Sequence, residues 1–502
     1  MKITLDSPVN KYYAQTLAMI FFPGEHFGDK PKENTEDEPS LYIHSEQREN
    51  GIFSFVRAEY KGKACEAEYF AEKKDGRTDE RTLKLSVGGA VLAALGDLVG
   101  YRPAWGMMIG VRPSKVASEM LNAGISKTRV KKILNSDYLV IPKKAALATD
   151  IALTEKRIVG ESSTKDCSVY ISIPFCPSRC TYCSFVSYTS KRLLDLIPEY
   201  LERLKVDIRA NFETIDRLGL RVRTVYIGGG TPTILTAEQL KELLSYISTL
   251  TDVSILDEYT MEAGRPDTIT EEKLAIAKEY GVTRVSVNPQ SLSDDVLYGI
   301  GRHHTAEDFY RAFSDARRAK IKTVNVDLIA GLPGDNFKRF SSTMDKVLQL
   351  TPENITVHTF CVKKSAEILR LNSEVYSVRG GDAGKCVDYS QIKAQQAGYI
   401  PYYMYRQKNT VGNYENVGFS LQGHKGLYNI YMMEEIHSIF AAGAGAVTKL
   451  VDNRTANGQI ISEKKTIERL FHQKYPYEYL AEDRSLQFAQ TAEKFYREHE
   501  ML

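Results

Sequence analysis

Residues 173–185 read IPFCPSRCTYCSF. Three of the chain's seven cysteines, Cys176, Cys180 and Cys183, fall within eight positions there. Three readings compete for such a cluster. Cysteines are often small buried hydrophobes, but a 4-and-3 spacing beside Pro174 and Pro177 is unusual for packing alone. A structural zinc site needs a fourth ligand and favours paired cysteines two residues apart. Cys167 is near in sequence, but it lies at the start of the preceding apolar run, away from the loop. An iron–sulfur cluster is held by cysteine thiolates, usually four; three would leave one iron open to a small ligand, and an open iron implies chemistry.

The segments around the loop set the fold. Short β-rich runs begin at about residue 165: SVYISIPF (168–175), RTVYIGG (223–229), EYTMEA (258–263), RVSVNPQS (284–291), TVNVDLIAGLP (323–333) and NITVHTF (354–360). Helix-like stretches lie between them, such as LLDLIPEYLERLKVDIRANFETI, TAEQLKELLSYISTL, EEKLAIAKEYG and SSTMDKVLQL. This βαβα alternation predicts an α/β fold with a parallel sheet under helices. Six units suffice for a partial barrel, whereas a closed one takes eight. Each unusual loop follows the C-terminal end of a strand, where α/β folds bind ligands.

The flanking regions read differently. Three parts are expected: 1–165 as an N-terminal accessory α+β region, 166–360 as the barrel, and 361–502 as a C-terminal α+β region. Residues 1–85 mix apolar runs with polar stretches such as FGDKPKENTEDEPS, and EKKDGRTDER (72–81) reads as a solvated loop. From Arg81 to Asp150 the pattern is helical, interrupted at Pro103 and Pro113. SVGGAVLAALGDLVG (86–100) is short for a membrane span and contains Asp97, so it reads as a buried helix. Residues 399–433 are rich in tyrosine, and FAAGAGAVTK (440–449) is rich in glycine and alanine. The tail from Glu463 to Leu502 reads as charged amphipathic helix.

Composition bounds the function. The 502 residues are 43% hydrophobic and 26% charged, as in a soluble globular protein. Lys+Arg is 66 and Asp+Glu is 64, a net charge of +2, which gives no strong field toward nucleic acid or membrane. MKITLDSPVNKYY lacks the apolar core of a signal peptide. Seven cysteines in a chain this long make no disulfide framework, so a cytoplasmic location is expected.

CPSRCTYC has the CxxxCxxC spacing of the radical S-adenosylmethionine (SAM) superfamily, and further segments resemble it independently. These are GGGTP (228–232), MEAGRP (261–266), RVSVNPQSLSDDVLYGIGRHHT (284–305) and DLIAGLPG (327–334). Taken together they look like the oxygen-independent coproporphyrinogen III oxidase/dehydrogenase family. GVRPSK (110–115) and YYMYRQKNTVGNYENVGF (402–419) point to its HemZ-like branch. The resemblance is strong over about 165–360 and weaker beyond.

The resemblance implies a 4Fe–4S cluster on Cys176, Cys180 and Cys183, with SAM on the open iron. It also implies that Tyr182 stacks on the adenine and that Gly229, Gly230 and Thr231 contact the methionyl amino group. Glu262 is a further expected ligand contact, although a lone Glu at a strand end is ordinarily solvated. Gln290 and Asp327 are expected at the ribose and Arg302 at the methionine carboxylate, which a planar guanidinium fork matches. The family reaction converts two propionates of coproporphyrinogen III to vinyl groups, giving protoporphyrinogen IX in haem biosynthesis. Its implied partners are a tetrapyrrole, an electron donor and an electron acceptor. Arg406, Lys408 and the tyrosines around them could line a pocket for such a ring, or simply pack.

Three positions depart from the family pattern: Ser172 replaces a histidine, Ser184 a cysteine and Asn288 a glycine. Tyr170, His303 and His304 are the candidates for catalytic groups; each histidine is as readily a surface or satisfied one, and His358 and Cys361 end the sixth strand. Cys65, Cys167 and Cys386 read as small buried hydrophobes. The leading expectation is a radical SAM oxidoreductase that decarboxylates a porphyrinogen. The alternatives are a haem carrier or insertion factor on the same scaffold, and a radical SAM enzyme with another substrate.

Overall fold

The computed structural model describes all residues except 24, 26–37, 111, 362–380, 408–409, 455–465 and 502. A small sheet opens the chain, in the order β1 (Lys2–Asp6), β2 (Ser40–Arg48), β3 (Gly51–Tyr60) and β4 (Lys63–Glu72). On β3 the alternate residues Ile52, Ser54, Val56 and Ala58 are buried. They face the helix Asp79–Val99, which also packs on β4 and on the helix Lys11–Phe21. That long helix holds the apolar run expected to be buried. By length and composition alone it could cross a membrane, with a mean hydropathy of 1.5, but 72% of that window is buried inside the fold.

The second sheet carries the site. Its centre is six parallel strands in sequence order: β5 (Asp166–Ile173), β6 (Arg221–Gly229), β7 (Glu258–Ala263), β8 (Arg284–Val287), β9 (Thr323–Ala330) and β10 (Asn354–Thr359). Helices Ile197–Arg217, Ala237–Leu250, Glu271–Glu279, Ala306–Arg318 and Phe337–Gln349 connect them. All six predicted strands are therefore present, as the predicted partial barrel. The C-terminal strands β11 (Ile400–Tyr405), β12 (Asn416–Ser420), β13 (Ser438–Ala442), β14 (Val447–Asp452) and β15 (Thr466–Phe471) extend this same sheet at both ends. Its order is β11-β12-β10-β9-β8-β7-β6-β5-β13-β14-β15. β13 runs parallel to β5, and β12 antiparallel to β10.

The two faces of the central strands divide the chemistry. Val169, Ile171, Val225, Ile227, Met261, Val285, Val324, Val326 and Ile355 join the main apolar core with the outer helices. The alternate positions are polar and bond to one another across the interior: Thr224 donates to Ser168 at 2.9 Å, Asn325 to Ser286 at 3.2 Å, and Thr356 to Asn325 at 3.2 Å. A parallel sheet covered on both faces normally reads as continuous apolar runs. Polar residues at period two in buried parallel strands therefore mark an interior built to hold something polar.

The tail differs from its helical expectation. Thr466–Phe471 is an edge strand, antiparallel to β14, and helices begin only at Pro476 and Ser485. Six residues, TIERLF, are too few to display a helical period, and long-range pairing with β14 decides their state.

Helices Pro113–Asn122, Lys127–Ser136 and Pro142–Gly160 pack in the barrel's core rather than with the small sheet. A buried charge cluster fixes them there. Lys144 is fully buried, bonded to the fully buried Glu415 and 3.0 Å from Asp388. The Trp105 indole donates to the other Glu415 oxygen at 2.7 Å. Removing one partner of a buried pair leaves an uncompensated charge. Lys144→Met should therefore cost about 3–5 kcal/mol in denaturant unfolding. The double variant with Glu415→Gln should recover a large part of that loss.

Candidate functional site

The cysteine loop leaves β5 at the barrel mouth. Its base is closed by backbone bonds from Cys176 to Tyr188 (3.0 Å) and from Tyr188 to Pro174 (2.9 Å). The end of β6 lies directly against it: Gly230 N–H donates to Ile173 at 2.8 Å and Thr231 N–H to Phe175 at 2.8 Å. A Cβ on Gly230 would stand 2.5 Å from the Phe175 carbonyl oxygen and 3.0 Å from the Cys176 sulfur. Only glycine permits that approach. Gly229 adds a φ of +109°. The Thr231 hydroxyl lies 3.3 Å from the Cys176 sulfur.

Two further elements hold the loop. Thr181 N–H donates to Ile300 at 3.0 Å, and the Ser178 hydroxyl to Gly301 at 3.2 Å. Arg265, almost fully buried, donates to the Ser178 hydroxyl at 3.0 Å, and its Nη1 is 3.8 Å from the Cys180 sulfur. None of the seven cysteines is in a disulfide. Burial above all, and then the neighbouring Cys183 and Cys180, push the Cys176 thiol up to about 11 against the Thr231 hydrogen bond. The three sulfurs thus share one electrostatic neighbourhood. Among the described residues no three His, Cys, Asp or Glu side chains gather as a single metal ion requires. A cluster binds its thiolates on separate irons, and the cradle of small residues, with a cation against one sulfur, fits it.

The other predicted residues divide by position. Arg302 is 3% exposed; its Nη2 donates to Gly264 at 2.6 Å, while Nε and Nη1 are buried with no partner. Gln290 is buried with φ +68° and joins β9 through bonds to Asp327 and Ile329, both 3.0 Å, and its Oε1 has no partner. Asn288 has a local role: its side-chain oxygen accepts from Asp327 N–H at 3.2 Å. Glu262 accepts from the Tyr226 hydroxyl at 2.5 Å. Burial, reinforced by Asp327, pushes the Glu262 carboxyl up to about 7 despite that bond. Burial acts on Asp327 the same way, but His358 at 3.7 Å and hydrogen bonds from Asn325 and Thr356 outweigh it and hold that carboxyl low. The Tyr405 hydroxyl lies 3.2 Å from the other His358 nitrogen.

Tyr182 packs on the apolar patch of Val296, Leu297, Ile300, Ile329, Leu332 and Phe360. Tyr170 stacks with Tyr226 (6.0 Å) and Tyr428 (6.3 Å) inside the barrel. His303 is exposed. His304 is buried beside Arg302, and burial pushes it down to about 3. The pair thus has one solvent-facing ring and one neutral buried ring. Arg406 is no pocket cation: it is buried on the carbonyls of Met108 and Gly110, with its guanidinium over the Trp105 ring. Lys408 lies outside the described residues. Cys167, Cys361 and Cys386 are buried, whereas Cys65 is only half-buried on the edge strand β4.

Arg265 and Tyr226 escaped the sequence reading, as did the contact of Tyr405 with His358. Arg265 stands inside MEAGRP, next to the proline that ends the strand; an arginine there was a usable signal. Tyr226 shares the inward period of Gly228 on β6. Nothing local in the sequence couples Tyr405 to His358.

A parallel partial barrel with a three-cysteine loop, an arginine with unpaired buried donors and two half-buried carboxylates at its mouth defines a radical SAM protein. Residues 170–347 match the radical SAM superfamily model. The chain is 37% identical to the oxygen-independent coproporphyrinogen-III oxidase-like protein HemZ of Bacillus subtilis, over 80% of this chain and 81% of that protein. It is 32% identical to the haem chaperone HemW of the same organism, over 62% of this chain and 77% of HemW. Coproporphyrinogen III oxidase (HemN) from Escherichia coli, a solved structure, aligns at a TM-score of 0.49 and 18% identity, over 67% of this chain and 73% of that one. The chain belongs to the radical SAM family that includes HemZ and HemW. Membership implies a 4Fe–4S cluster and SAM.

Gly230→Ala should disturb the loop by about 1–3 kcal/mol, the usual cost of overpacking. That corresponds to roughly 5- to 150-fold weaker cluster retention. Iron and sulfide content after anaerobic reconstitution and desalting checks it.

Proposed function

We propose that the protein is a radical SAM oxidoreductase that decarboxylates coproporphyrinogen III oxidatively to protoporphyrinogen IX, in the cytoplasm. The observation that carries the radical SAM part is Arg302. Its two unpaired nitrogens beside the cysteine loop suit the carboxylate of an amino acid bound there. The tetrapyrrole part is supported by the name of HemZ, matched over 80% of this chain.

When bound, the cluster and SAM would supply a carbon-centred radical able to remove hydrogen from a propionate side chain. The chain's own residues have separate tasks. Cys176, Cys180 and Cys183 hold the cluster, and Arg265 stabilises its negative charge through Cys180. Gly229, Gly230 and Thr231 bring backbone and hydroxyl to the methionyl amino group beside it. Glu262, oriented by Tyr226, adds a carboxylate to that amino-group contact. Asp327, kept ionised by His358 and Asn325, receives the ribose hydroxyls with Gln290. Tyr182 and its apolar patch shield the adenine from water. The reaction also needs a one-electron reductant and an electron acceptor.

The reading is tested with reconstituted protein, reductant, SAM and coproporphyrinogen III under anaerobic conditions. Protoporphyrinogen IX should form with two equivalents of 5′-deoxyadenosine. SAM cleavage without decarboxylated product would sink it. The HemW match favours one other reading, a haem carrier. A shifted Soret band on haem titration together with absent decarboxylation would select it.

Glu262 also sets a pH dependence. Its carboxyl rises from 4.5 to about 7 because burial favours the neutral form. The stability it contributes is therefore full below about pH 4.5 and lost as pH rises through about 7. Binding of an ammonium runs the other way, because it needs the carboxylate. Affinity for S-adenosylhomocysteine should rise with pH, by up to about tenfold per unit below about pH 7. Glu262→Gln should flatten that slope in a calorimetric titration.

A further inference from the structure

A cavity of about 360 Å³ that contains none of the cysteine-loop residues lies between the helix Asp79–Val99 and the helix Pro113–Asn122. That volume falls in the ordinary range for small-molecule sites. Its apolar walls are Tyr13, Leu85, Met107 and Val116. Arg81 and Arg112 line it together with the carboxylates Glu80 and Glu119. Arg81 donates to the Tyr138 hydroxyl at 2.7 Å, with its guanidinium over the Tyr138 ring, and has no carboxylate partner among the ion pairs of the described residues. Arg112 has only long contacts, 3.7 Å to Glu434 and 4.0 Å to Glu435, and its buried Nη1 makes no hydrogen bond. The third cation, Lys84, is already paired with Glu80.

We propose that this cavity is a second binding site, for a small amphipathic anion: an apolar ring system bearing one carboxylate or sulfonate. The ring would lie against Met107, Leu85 and Val116, and the anionic group would bridge Arg81 and Arg112. A phosphate alone is a poor match, because most of the wall is apolar. A neutral hydrophobe is a poor match too, because it would leave the Arg112 nitrogen buried and unpaired, which is costly. Nothing in the site depends on the chemistry at the barrel mouth. Its floor is nevertheless tied to that mouth: the Met108 and Gly110 carbonyls are held by Arg406, the residue after Tyr405, which contacts His358.

The test uses two fluorescent probes of nearly one shape on the full-length protein. 8-Anilinonaphthalene-1-sulfonate carries the anion, and N-phenyl-1-naphthylamine lacks it. The wild type should bind the sulfonate at least about tenfold more tightly, as expected of a charge-assisted contact. Arg81→Leu should remove that preference and leave the neutral probe within about twofold. Val116→Trp keeps every charge and fills the cavity, so it should abolish binding of both, with far-ultraviolet dichroism unchanged. Equal affinity for the two probes, no binding of either by the wild type, or wild-type binding by a folded Val116→Trp protein would each overturn the proposal.

Discussion

The desolvation of one guanidinium organises this molecule. Arg302 is buried with a single donor satisfied, on the Gly264 carbonyl at the end of β7. Removing such a cation from water costs several kcal/mol unless its donors are paired. The chain bears that cost where three thiols stand nearby. The step before Arg302 anchors the cysteine loop through Ile300 and Gly301, so the cation and the loop cannot be positioned independently. The end of β7, the Gln290 turn and the cysteine loop are thereby fixed around one buried cation.

Much of this was legible in the sequence, because it is carried by local patterns. Six strands could be read from β-rich runs, and the site residues from motifs that follow those strands. What was not legible depends on long-range contacts. The tail strand Thr466–Phe471 exists because β14 is beside it. In its tyrosine-rich stretch Arg406 could serve a pocket or pack, and the carbonyls of Met108 and Gly110, roughly three hundred residues earlier, decide for packing. The tyrosines themselves have divided roles: Tyr399 donates to the Pro352 carbonyl as packing, while Tyr405 reaches His358. Composition could not separate them.

The substitution at Ser172 acquires a structural reason. Its hydroxyl donates to the Ala444 carbonyl at 3.0 Å, under the Gly-Ala-Gly-Ala turn that joins β13 to β14. Gly443 there has φ +100°, and a Cβ on it would stand 2.7 Å from the Ser172 carbonyl oxygen. Tyr200 completes the contact, donating to that oxygen at 2.8 Å and accepting from Ala444 N–H at 2.9 Å. A histidine at 172 would have to displace this turn. The position serves the docking of β13 on β5, and any proton or hydrogen transfer in this chain must be served by other groups at the mouth, among which His358 and Tyr226 already contact the two carboxylates.

The central claim is that three cysteines leave one iron open beside Arg302, and Mössbauer spectroscopy of the ⁵⁷Fe-reconstituted protein tests it directly. Adding SAM to the oxidised cluster should move about one quarter of the iron absorption to new parameters and leave the rest in place. In Arg302→Leu the same addition should leave the spectrum almost unchanged. A wild-type spectrum that does not respond to SAM, or one in which all irons shift together, would contradict the account.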